Sequence, residues 1–343
     1  MFGVLIFIHE LGHYIFARLF KVGILDFSIG MGPKIFGWRG KHNKFTLRAL
    51  PFGGYVSMLG EYSEYEESEL DEEDKGKTPL NSIKVWKRMA ICLAGPVMNF
   101  ILGFLVTMTL VITTPVASNT VSAFDADANS NSVLQIGDEI LEIDGSRMRV
   151  HAQMVYKIAF DGTKPLDVLV LRDGQEVLLP GVMFPTVTEN GVTFGMRDFY
   201  VLPAEKTFGT VMYQSFWQSV NWIESTVQGV VKVVSGQYGV ESLSGPVGIG
   251  EQIGEVISSS GSTKNTIISL ATMLALISVN LGLMNLLPLP VLDGGRIIIY
   301  LIEGIRRKPI DRKYENAINA VFMVLLVLLT VFITFKDVIG LFG

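Results

Sequence analysis

Four stretches of the chain are apolar on every face for long enough to cross a bilayer: Met1 to Phe20, Met89 to Thr114, Thr266 to Leu287 and Ala317 to Phe335. About 20 such residues in a helix match the ~30 Å hydrocarbon core, so the pattern predicts four membrane-spanning helices. The third qualifies although Asn280 and Asn285 interrupt it. Between the spans the pattern changes. A Gly- and Pro-bearing stretch from Asp26 to Leu59 holds alternating runs such as Lys44 to Leu47, which predict hairpin strands. Its moderate hydrophobicity suggests β-structure dipping against the membrane, tolerated only where protein or water covers the backbone polar groups. Pro115 to Pro203 has ordinary soluble composition. There, turns at Gly137-Asp138 and Asp144-Gly145 bracket a strand from Glu139 to Ile143, and VLVLRDGQEVLLPG reads as a hairpin tipped by Asp173-Gly174. Val211, Phe216, Val220, Ile223, Val227, Val230 and Val234 then recur at helical spacings. They predict a helix over Thr207 to Val234 that packs on the β-rich domain or lies at the membrane surface.

Composition points the same way: of 343 residues, 18 % are charged and 49 % hydrophobic. The first span lacks the basic start and small-residue cleavage site of a secretory signal, and its middle is ionisable. The single cysteine, Cys92, excludes an internal disulfide framework and a thiolate metal cluster. Lys and Arg number 11 in Lys21 to Arg88, nine in the longer Pro115 to Asn265 and six in the short Arg296 to Lys313. The positive-inside rule therefore places the first and third connections in the cytoplasm, and the β-rich domain and both termini outside. Glu61 to Lys75 is an acidic run, read as a solvated loop with a cation site or regulatory tether as the alternative. The lipid bilayer is an expected partner and nucleic acid is not.

The first span contains the chemistry. In a helix, His9 and His13 lie on one face, where both imidazoles can reach one cation, and Glu10 sits about 100° round, within touch of a water at that cation. Ionisable groups at bilayer depth cost about 2.5 to 3.5 kcal/mol each on insertion scales, whereas structural zinc sites bind with roughly 10 to 16 kcal/mol, so a metal could offset them. A catalytic zinc usually has three protein ligands, leaving one to find. Asp293 is a candidate: it follows a hydrophobic span, after two prolines that end the helix and before two glycines that let the backbone turn. The lesser alternative is an aspartate in a tight turn at the membrane edge. His42 and His151 sit in polar, loop-like surroundings and read as surface residues. Asn99 and Asn285 lie in or beside spans, where an amide bonds a neighbouring helix as readily as a substrate backbone.

Taken together, HELGH at 9 to 13, FSIGMGP at 27 to 33, PFGGYV at 51 to 56, AGPVMNF at 94 to 100, SGPVGI at 244 to 249 and NLLPLPVLDGG at 285 to 295 resemble the site-2 protease family of intramembrane zinc metalloproteases, in its bacterial PDZ-containing branch. The resemblance covers essentially the whole chain. It implies that His9, His13 and Asp293 bind one zinc ion, that Glu10 is the general base, and that Asn285 contacts substrate. It implies further that Gly53, Gly54 and Tyr55 belong to a strand that adds to an unwound substrate helix, and that Gly95, Pro96 and Asn99 pack the second span against the catalytic core. Substrates would be single-span membrane proteins such as anti-sigma factors or signal-peptide remnants, cut as the second step of regulated intramembrane proteolysis in the bacterial cytoplasmic membrane, near its cytoplasmic side.

The expected fold is thus a polytopic α-helical membrane protein of four transmembrane helices, with a membrane-associated β-hairpin region and one extracytoplasmic PDZ-like β-rich domain. Residues 1–114 and 266–343 would form the catalytic membrane parts, 115–205 the PDZ-like domain, and 206–265 the amphipathic helix and linker. NSNSVLQIGD stands where that branch carries a small-residue Ala-Gly-Leu turn, which argues against capture of a peptide C-terminus. Two other classes compete. A membrane metal-binding or transport protein would need more ligands, and no other His, Asp or Glu interrupts the apolar cores. A catalytically inactive PDZ scaffold would have no reason to keep Glu10 beside the three ligands. Hydrolysis needs water, so a polar cavity should open toward the cytoplasm beside His9 and His13.

Overall fold

The computed structural model describes residues 1–61, 71, 74–189, 192–236, 245–259 and 261–340. Four helices are long and apolar enough to cross a membrane: α1 (Phe2–Leu19), α2 (Val85–Thr113), α6 (Thr263–Asn285) and most of α8 (Arg312–Gly340). They coincide with the four expected spans. The most apolar window of α8 has no buried residue, so its side chains need lipid as solvent. Two compact units form, one from Met1–Gly103 with Lys232–Gly343 and one from Phe104–Val231.

In the first unit, α1 leads into β1 (Ile24–Arg39) and β2 (Lys44–Met58). The register folds these two long strands into four segments. Ser28 pairs with both Tyr55 and Thr46, and Ile29 with both Gly54 and Leu47. Thr46 in turn pairs with Gly37, and Phe45 with Trp38. The order across the sheet is therefore 34–39, 44–48, 26–31, 54–58, which leaves 54–57 as an edge with a sheet neighbour on one side only among the described residues. Phe27 anchors this sheet to α1, its ring edge-on to Phe7 and Tyr14. Within the acidic run, 62–70 and 72–73 lie outside the described residues. Asp71 bonds Arg39 at 3.0 Å and Lys44 at 2.5 Å, and buried Asp74 meets Arg39 and Lys77.

Small residues set the helix contacts. A Cβ on Gly12 of α1 would stand 2.3 Å from the carbonyl oxygen of Ala94 in α2. One on Gly282 of α6 would stand 3.0 Å from that of Pro96, and one on Gly103 2.6 Å from Val279. Without a hydrophobic drive between helices in lipid, such backbone-close contacts are what packing can offer. Ser278 adds a hydrogen bond from its hydroxyl to the Asn99 carbonyl at 2.8 Å.

Two helices in this unit were not legible from periodicity: α5 (Pro246–Ser259), in the stretch read as linker, and α7 (Asp293–Arg306). The carboxylate of Asp337 in α8 accepts the N–H groups of Gly245 and Gly248 at 2.8 and 2.9 Å. The α5 start is thus capped from far along the chain, and a Cβ on Gly245 would strike that carboxylate.

The second unit is β-rich. Its main sheet runs β10 (Phe199–Pro203), β3 (Ala117–Phe124), β4 (Glu139–Ile143), β6 (Leu166–Arg172), β7 (Gln175–Val182), with β5 (Ser146–Arg147) on β4, while β8 (Thr186–Glu189) pairs β9 (Val192–Gly195). Alternate residues Leu166, Val168 and Val170 are fully buried with Val121, Ile140, Ile143, Met154 and Ile158. The expected turns at 137–138, 144–145 and 173–174 have Gly137, Gly145 and Gly174 at positive φ. Helix α3 (His151–Asp161) covers the core, and α4 (Phe208–Val234) joins it through Gln153 to Glu224 at 2.9 Å and Arg149 over the Trp217 ring at 4.0 Å. His151 opens α3 and is half-buried, a correction to its reading as a surface loop residue. Its Nε2 faces Nη1 of Arg197 at 3.2 Å and must accept, since a guanidinium only donates.

Candidate active site

His9 and His13 lie on the buried stripe of α1 with Leu5, Gly12 and Ala17, turned toward α2. Their neighbour on α2 is Gly95, where a Cβ would stand 2.4 Å from Nε2 of His13 and 2.9 Å from Cε1 of His9. Only a missing side chain leaves room for both rings. Nδ1 of His13 lies 2.8 Å from the carbonyl oxygen of Ile91, an acceptor, so Nδ1 carries the proton and Nε2 presents its lone pair.

Asp293 reaches the same point from the first residue of α7. The preceding loop is tight: Val291 has φ 78°, an unusual value for a β-branched residue, and donates its N–H to Oδ1 of Asn319 at 3.3 Å. A Cβ on Gly294 or Gly295 would come within 2.3 Å of the carbonyl oxygens of Leu286, Leu287 or Leu289, so the two glycines are demanded by close backbone approach.

The result is a triangle of donor atoms. Nε2 of His9 and Oδ2 of Asp293 are 3.1 Å apart, Nε2 of His13 and Oδ2 are 3.4 Å apart, and the two Nε2 atoms are 3.2 Å apart. Among the described residues Oδ2 is buried without a hydrogen-bond partner. Two imidazole lone pairs and a carboxylate oxygen converging this closely repel unless a cation sits among them. Tetrahedral zinc at ~2.0 to 2.2 Å from each N or O donor sets donor separations of roughly 3.3 to 3.6 Å, close to those observed. The donor set and its spacing fit zinc. Among the described residues these three are the group able to hold a metal.

Asn99 is fully buried, with Nδ2 3.1 Å from Nδ1 of His9 and Oδ1 without a partner among the described residues. Turning the amide by 180° lets Oδ1 accept from Nδ1–H and leaves a lone pair on Nε2 of His9, the atom that faces Asp293 and His13. Glu10 points from α1 toward the sheet edge, where a Cβ on Gly54 would lie 3.2 Å from its Cγ and 2.9 Å from the Ser28 carbonyl oxygen. Gly53 has φ 76°, with Met31 packed over it. The Tyr55 hydroxyl is engaged in the sheet, donating to Asp26 at 3.1 Å and accepting from Arg48 at 2.5 Å. Pro96 is inside α2 and Asn285 is half-buried at the end of α6. The structure thus brings together His9, Glu10, His13, Asp293, Gly54, Gly95 and Asn99. It places Asn285, Gly53, Tyr55 and Pro96 on the flanking elements. Missed from sequence were the Ile91 carbonyl, which carries no side-chain signal, and Arg296, one helical turn beyond Asp293 and paired with Glu61.

A cavity of ≈ 1170 Å³ opens beside the start of α2 and the second half of α7, lined by residues that include Glu61, Arg88, Tyr300 and Glu303. Its lining includes none of the three donors, so this cavity lies along α7 from them.

Comparison with known proteins agrees with this chemistry. The family model described as Peptidase family M50 matches residues 1–329. A Clostridium perfringens protein named as a candidate zinc metalloprotease is 33 % identical, over 98 % of this chain and 96 % of its own length. The regulator of sigma-W protease RasP of Bacillus subtilis is 30 % identical over 100 % of this chain and 97 % of its own length, and the zinc metalloprotease RasP of Bacillus licheniformis is 30 % identical over 100 % and 98 %. The chain belongs to peptidase family M50, the site-2 proteases, and is a membrane-embedded zinc metalloprotease.

Proposed function

We propose that the chain cleaves unwound transmembrane segments of single-span membrane proteins, with His9, His13 and Asp293 as zinc ligands and Glu10 as general base. The observation that carries the reading is Oδ2 of Asp293, buried opposite two imidazole Nε2 atoms and without a hydrogen-bond partner among the described residues. Zinc when bound supplies Lewis acidity toward the scissile carbonyl and toward water. Glu10 takes a proton from the attacking water and hands it to the departing amine, and stays ready because it is a neighbour of the donor triangle and not a member of it. His13 is fixed in the required tautomer by the Ile91 carbonyl, and Asn99 does the same for His9.

A helical substrate hides its carbonyls in its own hydrogen bonds and must unwind before attack. The edge 54–57, with Gly53, Gly54 and Tyr55, offers a backbone ladder for the unwound segment, and Gly54 brings that ladder against Glu10. Asn285, at the mouth of the Asp293 loop, contacts the substrate backbone. Gly95, Pro96 and Asn99 hold α2 against the site. We read 115–205 as a PDZ-like gate outside the cytoplasmic membrane, 206–265 as the helical connection to the second catalytic part, and the active site as nearer the cytoplasm. Since a similar protein is named for the regulator of sigma-W, anti-sigma factors are the first substrates to try, with signal-peptide remnants next and cleavage as the second cut.

The test is cleavage of a labelled single-span substrate by the purified chain in lipid, with and without chelator, and by Glu10→Gln. Loss of cleavage in Glu10→Gln with zinc retained supports the assignment. Equal cleavage by both chains would overturn it.

A further inference from the structure

Glu61 begins the acidic run, yet its side chain is only 3 % exposed. Its Oε2 accepts the Met58 N–H at 3.0 Å, and its own N–H reaches the Met58 carbonyl at 3.3 Å, so it closes the turn in which β2 ends. Its Oε1 meets Nη1 of Arg296. One carboxylate therefore joins the end of the sheet's open edge to the first turn of α7.

Asp293, Arg296, Tyr300 and Glu303 fall within roughly 100° of one face of α7. Farther along that face Glu303 accepts from Arg88 of α2 at 2.8 Å and from the Ile310 N–H at 3.0 Å, and Arg88 lies over the Tyr300 ring at 4.7 Å. The second half of α7 is thus pinned to another helix. Its first turn, which carries Asp293, is pinned to a strand, and a strand edge is an element that a substrate can order.

We propose that Glu61 is a positioning residue: through Arg296 it couples the open edge 54–57 to Asp293, so that an extended segment lying on that edge tightens the hold of the donor triangle on zinc. This rests on the protease reading above and adds a control to it. A buried carboxylate cannot relax into water, so a shift of Met58 is passed to Arg296 and on to Asp293 one turn away. Such coupling is reciprocal, so it is measurable as linkage between peptide and zinc binding without turnover.

The experiment uses full-length Glu10→Gln protein in lipid, zinc affinity by competition with a chromophoric chelator, and a short extended apolar peptide. A copy of the peptide N-methylated at alternate residues cannot add as a strand and serves as the control. The peptide should raise zinc affinity about fivefold or more, the usual scale of coupling between sites, and the methylated copy should not. Adding Glu61→Gln, which still accepts from Met58 N–H but drops the charge facing Arg296, should abolish the response. Arg296→Leu should abolish it too, and the double variant should add nothing. Should Glu61→Gln fail to fold, Arg296→Lys, which keeps the charge, should retain part of the response and Arg296→Leu none. An undiminished response in Glu61→Gln, or no response with both residues intact, overturns the coupling. Native protein that cleaves substrate yet shows no linkage defeats this inference alone, whereas a His9→Ala chain with unchanged zinc affinity defeats the protease reading beneath it.

Discussion

Gly95 and His13 meet with no space for a side chain between them: a Cβ on Gly95 would stand 2.4 Å from Nε2, the atom that faces the donor triangle. Gly95→Ala should therefore turn His13, and with it His9, away from Asp293. Zinc content after dialysis against a weak chelator should fall by roughly 100-fold in affinity, the upper end of what disturbed ligand orientation costs. Ala94→Gly, one residue away, should leave zinc content unchanged. If Gly95→Ala holds zinc like the native chain, the rings are not where this packing puts them.

Gly54 makes a different case, because it touches Glu10, the proposed base, and none of the three proposed zinc ligands. A Cβ there would press on Cγ of Glu10, Cγ2 of Ile6 and the carbonyl oxygen of Ser28, at 3.2, 3.0 and 2.9 Å. Gly54→Val should displace Glu10 and spoil the strand edge while zinc stays bound. Cleavage should drop by at least 100-fold, on the order of the 10²- to 10⁴-fold that a positioned acid–base group contributes. Retained activity would show that the edge stands clear of Glu10 during catalysis.

How far the sequence carried depended on whether a signal was local. Helical spacing put His9 and His13 on one face of α1, and the spans α1, α2, α6 and α8 followed from length and hydropathy alone. Asp293 was legible as a candidate because prolines and glycines bracket it. Other features rest on partners distant in the chain. Asp337 caps α5 from 89 residues beyond Gly248, and Glu303 holds Arg88 across 215. The four-segment sheet was hidden because one strand residue, Ser28, serves two neighbours at once, which a hairpin pattern does not announce.

Asn99 looked equally suited to helix packing and to substrate, and its side chain instead faces Nδ1 of His9 at 3.1 Å. Asn99→Leu removes the acceptor and should lower zinc affinity about 10- to 100-fold. Asn99→Asp keeps an oxygen in place and should hold zinc near the native level. Isothermal titration of both variants in Glu10→Gln protein separates the orienting role from turnover. Equal affinity in Asn99→Leu and the native chain would leave Asn99 as a packing residue only.

His151 makes the β-rich unit sensitive to acid. Burial, then the neighbouring Arg197 cation, lowers its pKa from 6.5 to about 4. Between those values the unfolded chain binds a proton that the folded unit does not, so stability is fully present above pH 6.5 and is lost as pH falls toward 4. Hydrogen exchange at the core amides of β4 and β6 should accelerate across that window, after correction for the intrinsic rate. His151→Gln, which cannot titrate, should flatten the dependence while keeping an acceptor for Arg197. Arg197→Met should make the loss smaller and end it at a higher pH, since without the cation His151 protonates more easily in the folded state. An acid response identical in the native chain and His151→Gln would place the sensitive group elsewhere.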